Sequence, residues 1–211
     1  MNAFRSLFLA SVGFALLNTQ ALAADVLFTA SITHDQEVTQ GTLVTSSGDP
    51  RPLSYGSADF VLNHARTAFT FTATIYDIDV TGSQTADLND NLLNAHIHNA
   101  PAGINGSVVW GFFGAPDSDI APNDLVVTPF ATGVGGTFSA KWDLLEGENT
   151  TLTDQLPNIF ANNTYINFHT QQFRGGEIRG QITRVPDGGS TLALFGVVLS
   201  GLLAARRKFN R

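Results

Sequence analysis

Three histidines carry most of the chemistry in this 211-residue chain. Two stand in Asn94-Ala95-His96-Ile97-His98-Asn99, the third in Tyr165-Ile166-Asn167-Phe168-His169-Thr170. On a β-strand successive side chains point to opposite faces. His96 and His98 therefore share one face while Ile97 takes the other. In the second stretch Tyr165, Asn167 and His169 face one way, Ile166 and Phe168 the other. A His-x-His pair beside a third histidine on a neighbouring strand offers three imidazoles, a donor set that Zn(II) and Cu(II) both accept. Glu177 is expected to add a carboxylate, as fourth ligand or as the group that orients His169. Such a face with an open position suits redox or hydrolytic chemistry. The plainer alternative is that the rings hydrogen-bond to nearby Asn, Thr and Glu side chains. His169 and Glu177 would then be a cross-strand pair worth about 0.2–1 kcal/mol.

The elements that must position these residues read as strands. Val26, Phe28, Ala30 and Ile32 alternate with polar residues, as do Phe69, Phe71, Ala73 and Ile75. Further candidates are 57–63, 93–98, 107–113, 137–143, 164–170 and 177–184, separated by Gly, Asn, Asp and Pro clusters. No helical period competes, and 144–156 has room for a short helical turn at most. About seven to nine strands with turn punctuation predict an all-β, antiparallel sandwich or barrel. A hairpin is expected across 171–175. Pairing Phe168 with Ile178 and Ile166 with Gly180 keeps the apolar face continuous, sets Asn167 opposite Arg179 and His169 opposite Glu177. A slip of one residue would turn Ile178 to solvent. With the aliphatic residues inside, all three imidazoles are expected on the outer face, in water.

Composition narrows the options. The chain has no cysteine, so thiol catalysis, disulfides and Cys-ligated metals are excluded. Between residues 24 and 184 six basic residues face 17 acidic ones, a net charge near −11. A surface this acidic repels phosphate backbones, and nucleic acid is not an expected partner. Asp77, Asp79, Asp87 and Asp90 could hold Ca²⁺ in a loop, but their spacing is not that of an EF-hand and a solvated loop explains them. Trp110, Phe112, Phe138 and Trp142 suit a core; a stacking surface for sugars is the alternative. No nucleophile elbow, phosphate loop or dinucleotide fingerprint occurs, and no catalytic residue stands out.

The two ends read as addresses. Residues 1–23 have the form of a signal helix: Arg5, an apolar stretch from Leu7 to Leu17, and Ala21-Leu22-Ala23 as a small-residue cleavage box. Signal peptidase is expected to free a domain of residues 24–184. Residues 185–211 form the second address: Val185-Pro186-Asp187-Gly188-Gly189-Ser190, then an apolar run from Thr191 to Ala205, then Arg206-Arg207-Lys208. Fifteen helical residues cover about 22 Å of a hydrocarbon core of about 30 Å, a short span with a basic cytoplasmic end.

This tail resembles the bacterial PEP-CTERM sorting signals, in the variant that begins Val-Pro-Asp-Ser-Gly, with Gly188 in place of Ser. The resemblance implies processing by an exosortase, a membrane transpeptidase-like enzyme, in a Gram-negative-type bacterium. It implies residence at the cell envelope or surface, or release, with a transient or retained membrane association. The middle resembles the CHRD domain first described in chordin. That likeness rests on Ala95-His96-Ile97-His98, on Tyr165 to Thr170 with Gly175-Gly176-Glu177-Ile178-Arg179-Gly180-Gln181-Ile182, and more loosely on Asp35-Gln36-Glu37-Val38. Thr39 and Asn99 depart from the usual Pro and Gly. The family resemblance implies an immunoglobulin-like β-barrel, distantly likened to copper–zinc superoxide dismutase, and no established activity. The expected role is a non-catalytic binding or extracellular-matrix component that meets exopolysaccharide or other envelope components. The competing role is a Cu- or Zn-binding protein or dismutase-like metalloenzyme on His96, His98 and His169. Convergence of the three rings to within about 4–5 Å would separate the two, because each metal–nitrogen bond is about 2 Å.

Overall fold

Period-two alternation is realised as strands nearly everywhere it occurs in the sequence. The computed structural model describes residues 24–186. Among them are ten strands: β1 (Val26–Thr33), β2 (Tyr55–Leu62), β3 (Ala68–Tyr76), β4 (Leu92–Asn99), β5 (Ser107–Phe113), β6 (Val126–Pro129), β7 (Gly135–Asp143), β8 (Thr164–Thr170), β9 (Ile178–Gln181) and β10 (Thr183–Arg184). All pair antiparallel in one sheet of order β5-β4-β8-β9-β1-β2-β3-β7-β6, with β10 beside β1.

The sheet curls on itself because its apolar face must leave water. Trp110 of β5 stacks on Trp142 of β7, rings 5.6 Å apart and 3° from parallel. Phe112 of β5 lies 4.7 Å from Phe71 of β3. Strands at opposite ends of the sheet order thus meet face to face, and the result is an antiparallel half-barrel rolled round an aromatic core. Trp110, Phe112, Phe138 and Trp142 all lie inside it, at most 1% exposed, which disposes of the sugar-stacking alternative for these rings. The outer edge of β5 is closed by loops: Ser118 and Asp119 donate to the Gly111 carbonyl and Glu148 to that of Val109.

Two details correct the sequence reading. The strand count is ten rather than seven to nine, because 177–184 divides into β9 and β10 and because β6 was hidden in the 114–136 loop. A real helix follows β7: α1 (Leu152–Phe160), nine residues. It begins with a capping box, the Thr151 hydroxyl accepting from the Asp154 N–H while the Asp154 carboxylate accepts from that of Thr151. Leu152 and Ile159 bury against the core and anchor it. The expected signal helix and C-terminal apolar helix lie outside the described residues, as do Ala21, Ala23, Asp187, Gly188 and Gly189. No helix among the described residues is long and apolar enough to cross a membrane.

Trp110 bridges the two walls through its stack on Trp142. Trp110→Ala is expected to lower the unfolding free energy by about 3–5 kcal/mol, from lost transfer energy and the cavity left behind. A urea titration followed by circular dichroism would measure it.

Candidate metal centre

The register of β4 on β8 assembles the site. His96 pairs with Asn167, His98 with Tyr165, and His169 with Asn94. The three histidines therefore occupy neighbouring positions on one face of two adjacent strands. Ile97 pairs with Ile166 on the other face, both fully buried in the core. The expected hairpin is also present: Phe168 pairs with Ile178, Ile166 with Gly180 and Asn167 with Arg179. Parity was thus read correctly, but its corollary fails. The imidazoles are not in water: His96, His98 and His169 are 3%, 7% and 5% exposed. Loops fold over this face and shut it.

Each ring is tied to a different loop by its outer nitrogen. His96 Nε2 lies 3.0 Å from the Ala115 carbonyl, His98 Nδ1 3.0 Å from that of Gly106, and His169 Nδ1 3.1 Å from that of Arg174. A carbonyl only accepts, so each of these nitrogens carries the proton. Burial holds all three rings neutral. It pulls His98 down to about 4 and, with the nearby His96 and His98 rings, His169 down to about 3; His96 is lowered too. A neutral imidazole has one N–H. His96 Nδ1, His98 Nε2 and His169 Nε2 are therefore bare lone pairs, the ring nitrogens left free for an ion.

One ligand nitrogen from each ring lies within 4.8 Å of the other two. His96 Nδ1 and His169 Nε2 are 3.2 Å apart, and His98 Nε2 is buried with no hydrogen-bond partner. Three lone pairs facing one point repel unless a cation sits among them. Three nitrogens at about 2.0–2.1 Å from one tetrahedral ion stand about 3.4 Å apart, so small ring rotations close the set. Backbone carbonyls that fix tautomer and ring orientation are the usual support of a histidine metal site. His98 is further clamped by Tyr165, stacked at 4.9 Å and 7°, and the Arg179 guanidinium lies 4.4 Å from the centre of the Tyr165 ring. Tyr165 and Arg179 were not singled out from sequence, although Tyr165 shares the parity of His169 and Arg179 stands opposite Asn167.

Glu177 does not join the histidines. Its fully buried carboxylate is held by Arg51 in an ion pair and by the hydroxyls of Ser54 and Thr170. The expected His169–Glu177 pair is absent because regular strand pairing ends at Ile178. Gly176 (φ 123°) turns the chain there, and Glu177 donates its N–H to the Phe168 carbonyl. The carboxylate thereby reaches Thr170 and not the imidazole. Of the other histidines, His34 bonds the carbonyls of Glu177 and Gly41, and His64 is at the surface beside Asp25. The candidate calcium loop is a hydrogen-bonded turn: Asp79 accepts from the backbone of Thr81, Gly82, Gln84 and Thr85. Among the described residues, His96, His98 and His169 are the one group of three or more possible ligands close enough to share an ion.

Comparison with known proteins adds the family. The family model of the CHRD domain matches residues 28–182. That of the VPDSG-CTERM motif matches residues 184–209, beginning where Val185 and Pro186 leave β10 at the surface. No curated protein and no solved structure matches the chain.

The neutral rings give the metal-free protein a defined acid response. Their folded-state values lie below the ordinary 6.5, so the unfolded chain binds protons first as pH falls. Their contribution to stability is full above about pH 6.5 and is lost progressively towards pH 4 and below. Glu37, raised to about 7, acts with the opposite sign, so the comparison must be internal. Chelated wild type is expected to lose more stability between pH 7 and pH 5 than chelated His169→Gln, measured by urea midpoints at both values.

Proposed function

The chain belongs to the CHRD domain family and ends in a VPDSG-CTERM motif, and from that premise we propose that it is a surface-sorted metal-binding protein whose domain holds one Zn(II) or Cu(II) ion. The sorting motif implies export, processing by an enzyme of the exosortase type and placement at the envelope or surface. Cleavage after Ala23 by signal peptidase, a transient or retained C-terminal anchor, and contact with exopolysaccharide or other envelope components are parts of the same proposal.

One observation carries the metal reading: three buried imidazoles, each with its only proton fixed outward on a carbonyl, present their lone pairs to each other within 4.8 Å. Histidines that merely satisfied their hydrogen bonds would place an N–H between His96 and His169. Here the carbonyls have already claimed both protons. The all-nitrogen set matches the preferences of Zn(II) and Cu(II) rather than Ca²⁺ or Mg²⁺, which take oxygen ligands. With three protein ligands the ion would keep an open position. Tyr165, Asn167 and the covering loops would define what reaches it, and the protein's part is to hold, orient and exclude water.

A non-catalytic matrix component without metal is the second reading, and the extensive closure of the polar face favours it to the extent that closure alone is the purpose. Metal analysis separates the two. Purified protein reconstituted with zinc or copper is expected to retain about one equivalent per chain through dialysis, and His98→Ala to retain none. Metal at about 1,000 times its Kd should add about 4 kcal/mol to the wild-type unfolding free energy and nothing to the variant. Absence of stoichiometric metal in wild type would leave the matrix reading standing.

A further inference from the structure

The three carbonyls that hold the imidazoles belong to three separate connections: Gly106 between β4 and β5, Ala115 between β5 and β6, and Arg174 in the β8–β9 loop. The first and third of these connections wall a cleft of about 250 Å³, lined by Glu37, Thr39, Asn105, Phe173, Arg174 and Gly176, among others. The cleft owes its shape to Gly176. At φ 123° a Cβ there would lie 2.5 Å from Glu37 Oε1 and 2.6 Å from Asn167 Nδ2. Only glycine lets this loop lie flat on the polar face. Asn105 is fixed from below, its Oδ1 accepting from Arg179 at 3.2 Å.

We propose that this cleft binds a small neutral hydroxylated molecule, one sugar ring or a comparable polyol, and that metal at the histidine cluster holds the two walls of the cleft in place. Size sets the first limit: pockets for drug-sized ligands span about 300–1,000 Å³, and this cleft is smaller. Charge sets the second. Arg174 is its one base and Glu37 its one acid, so a cation is not favoured, and a domain net charge near −11 disfavours anions. Hydrogen bonding sets the third. Arg174 donates, the Asn105 amide and the Thr39 hydroxyl do both, and Glu37 supplies oxygens. A hydroxyl group, donor and acceptor in one atom, answers all of them. Burial pushes the Glu37 carboxyl up to about 7 despite nearby Arg179 and His34, so near neutrality it offers both an acceptor and an acidic hydrogen. Phe173, edge-on to His34 at 5.3 Å, supplies the apolar face that a sugar's C–H groups need.

The coupling rests on the metal reading; the cleft does not. An ion drawn in by His98 and His169 fixes both rings, and through the bonds to Gly106 and Arg174 it fixes both walls. A ligand that needs the walls fixed then binds more tightly to the loaded protein, and by reciprocity the protein holds metal more tightly with ligand bound.

Calorimetric titration of the full chain, zinc-loaded and chelated, with glucose, galactose, mannose and N-acetylglucosamine, and with glucuronate as anionic control, tests both parts. Expected are saturable binding of at least one neutral sugar by the loaded protein, weak or absent binding of glucuronate, and a several-fold loss of affinity on chelation. Phe173→Ala should weaken binding at least tenfold, and Asn105→Ala should act in the same direction, with circular dichroism and the urea midpoint checking that each variant stays folded. No saturable neutral sugar, or glucuronate binding as well as the best of them, overturns the cleft. Sugar affinity indifferent to chelation overturns the coupling. Sugar binding by a protein that takes up neither zinc nor copper sustains the cleft and removes the metal reading.

Discussion

Strand β8 has no solvent face, and that constraint shapes everything around it. All seven of its residues are buried. One side supplies Ile166 and Phe168 to the core, which asks only for apolar neighbours. The other supplies Tyr165, Asn167 and His169, whose polar atoms must find partners inside the protein, since a buried unpaired group costs about 1–3 kcal/mol. Three loops answer by bringing carbonyls down onto the imidazoles. Those same carbonyls decide the tautomers, and burial decides the charge. The metal-competent arrangement is therefore a consequence of closing a polar face with backbone, not of a ligand cluster laid on a surface.

The closure needs its own anchors, and two buried cations provide them. Arg51, in the long β1–β2 connection, forms an ion pair with Glu177, whose remaining lone pairs go to Ser54 and Thr170. Removing one partner of such a pair strands the other charge, so the connection is held firmly although the pair itself contributes little net stability. Arg179 lies across Tyr165 and donates to the carbonyls of Gln36 and Ile104 and to Asn105 Oδ1. It thereby fastens the segment after β1 and the β4–β5 connection to the same strands. Glu37 and Asn167, near these anchors, are buried as well.

What the sequence made legible was local. Alternation located eight strand regions, and the apolar pattern fixed the β8–β9 register to the residue, because any slip would have exposed Ile178. The same parity put the three histidines on one face. Everything that depended on distant residues was out of reach. Nothing near His96 announces that the Ala115 carbonyl will cover it, and Arg51 is 126 positions from Glu177. Glu177 was misassigned because parity counting assumes a regular strand, and a positive φ at Gly176 breaks that regularity one residue earlier. β6 is only four residues long and ends in Pro129, too short for a periodicity to emerge. The helix α1 does carry a signal, Thr151-x-x-Asp154 at its start, but it holds Pro157 in its interior, where proline is disfavoured.

The path of the chain ends relates this site to the sorting motif. β10 lies on β1, and Val185 donates to the Leu27 carbonyl, so the segment carrying the sorting motif leaves beside the residues with which the described domain begins. Arg184 bonds to Asn162 and Ile182 to Thr164, which puts that exit at the Thr164 end of β8. The cleft loop 171–176 follows the opposite end of the same strand. Six residue steps at about 3.3 Å each separate the two ends by about 20 Å. The exit of the chain and the 171–176 loop thus lie at opposite ends of β8, and the three histidines, on β4 and β8, are buried.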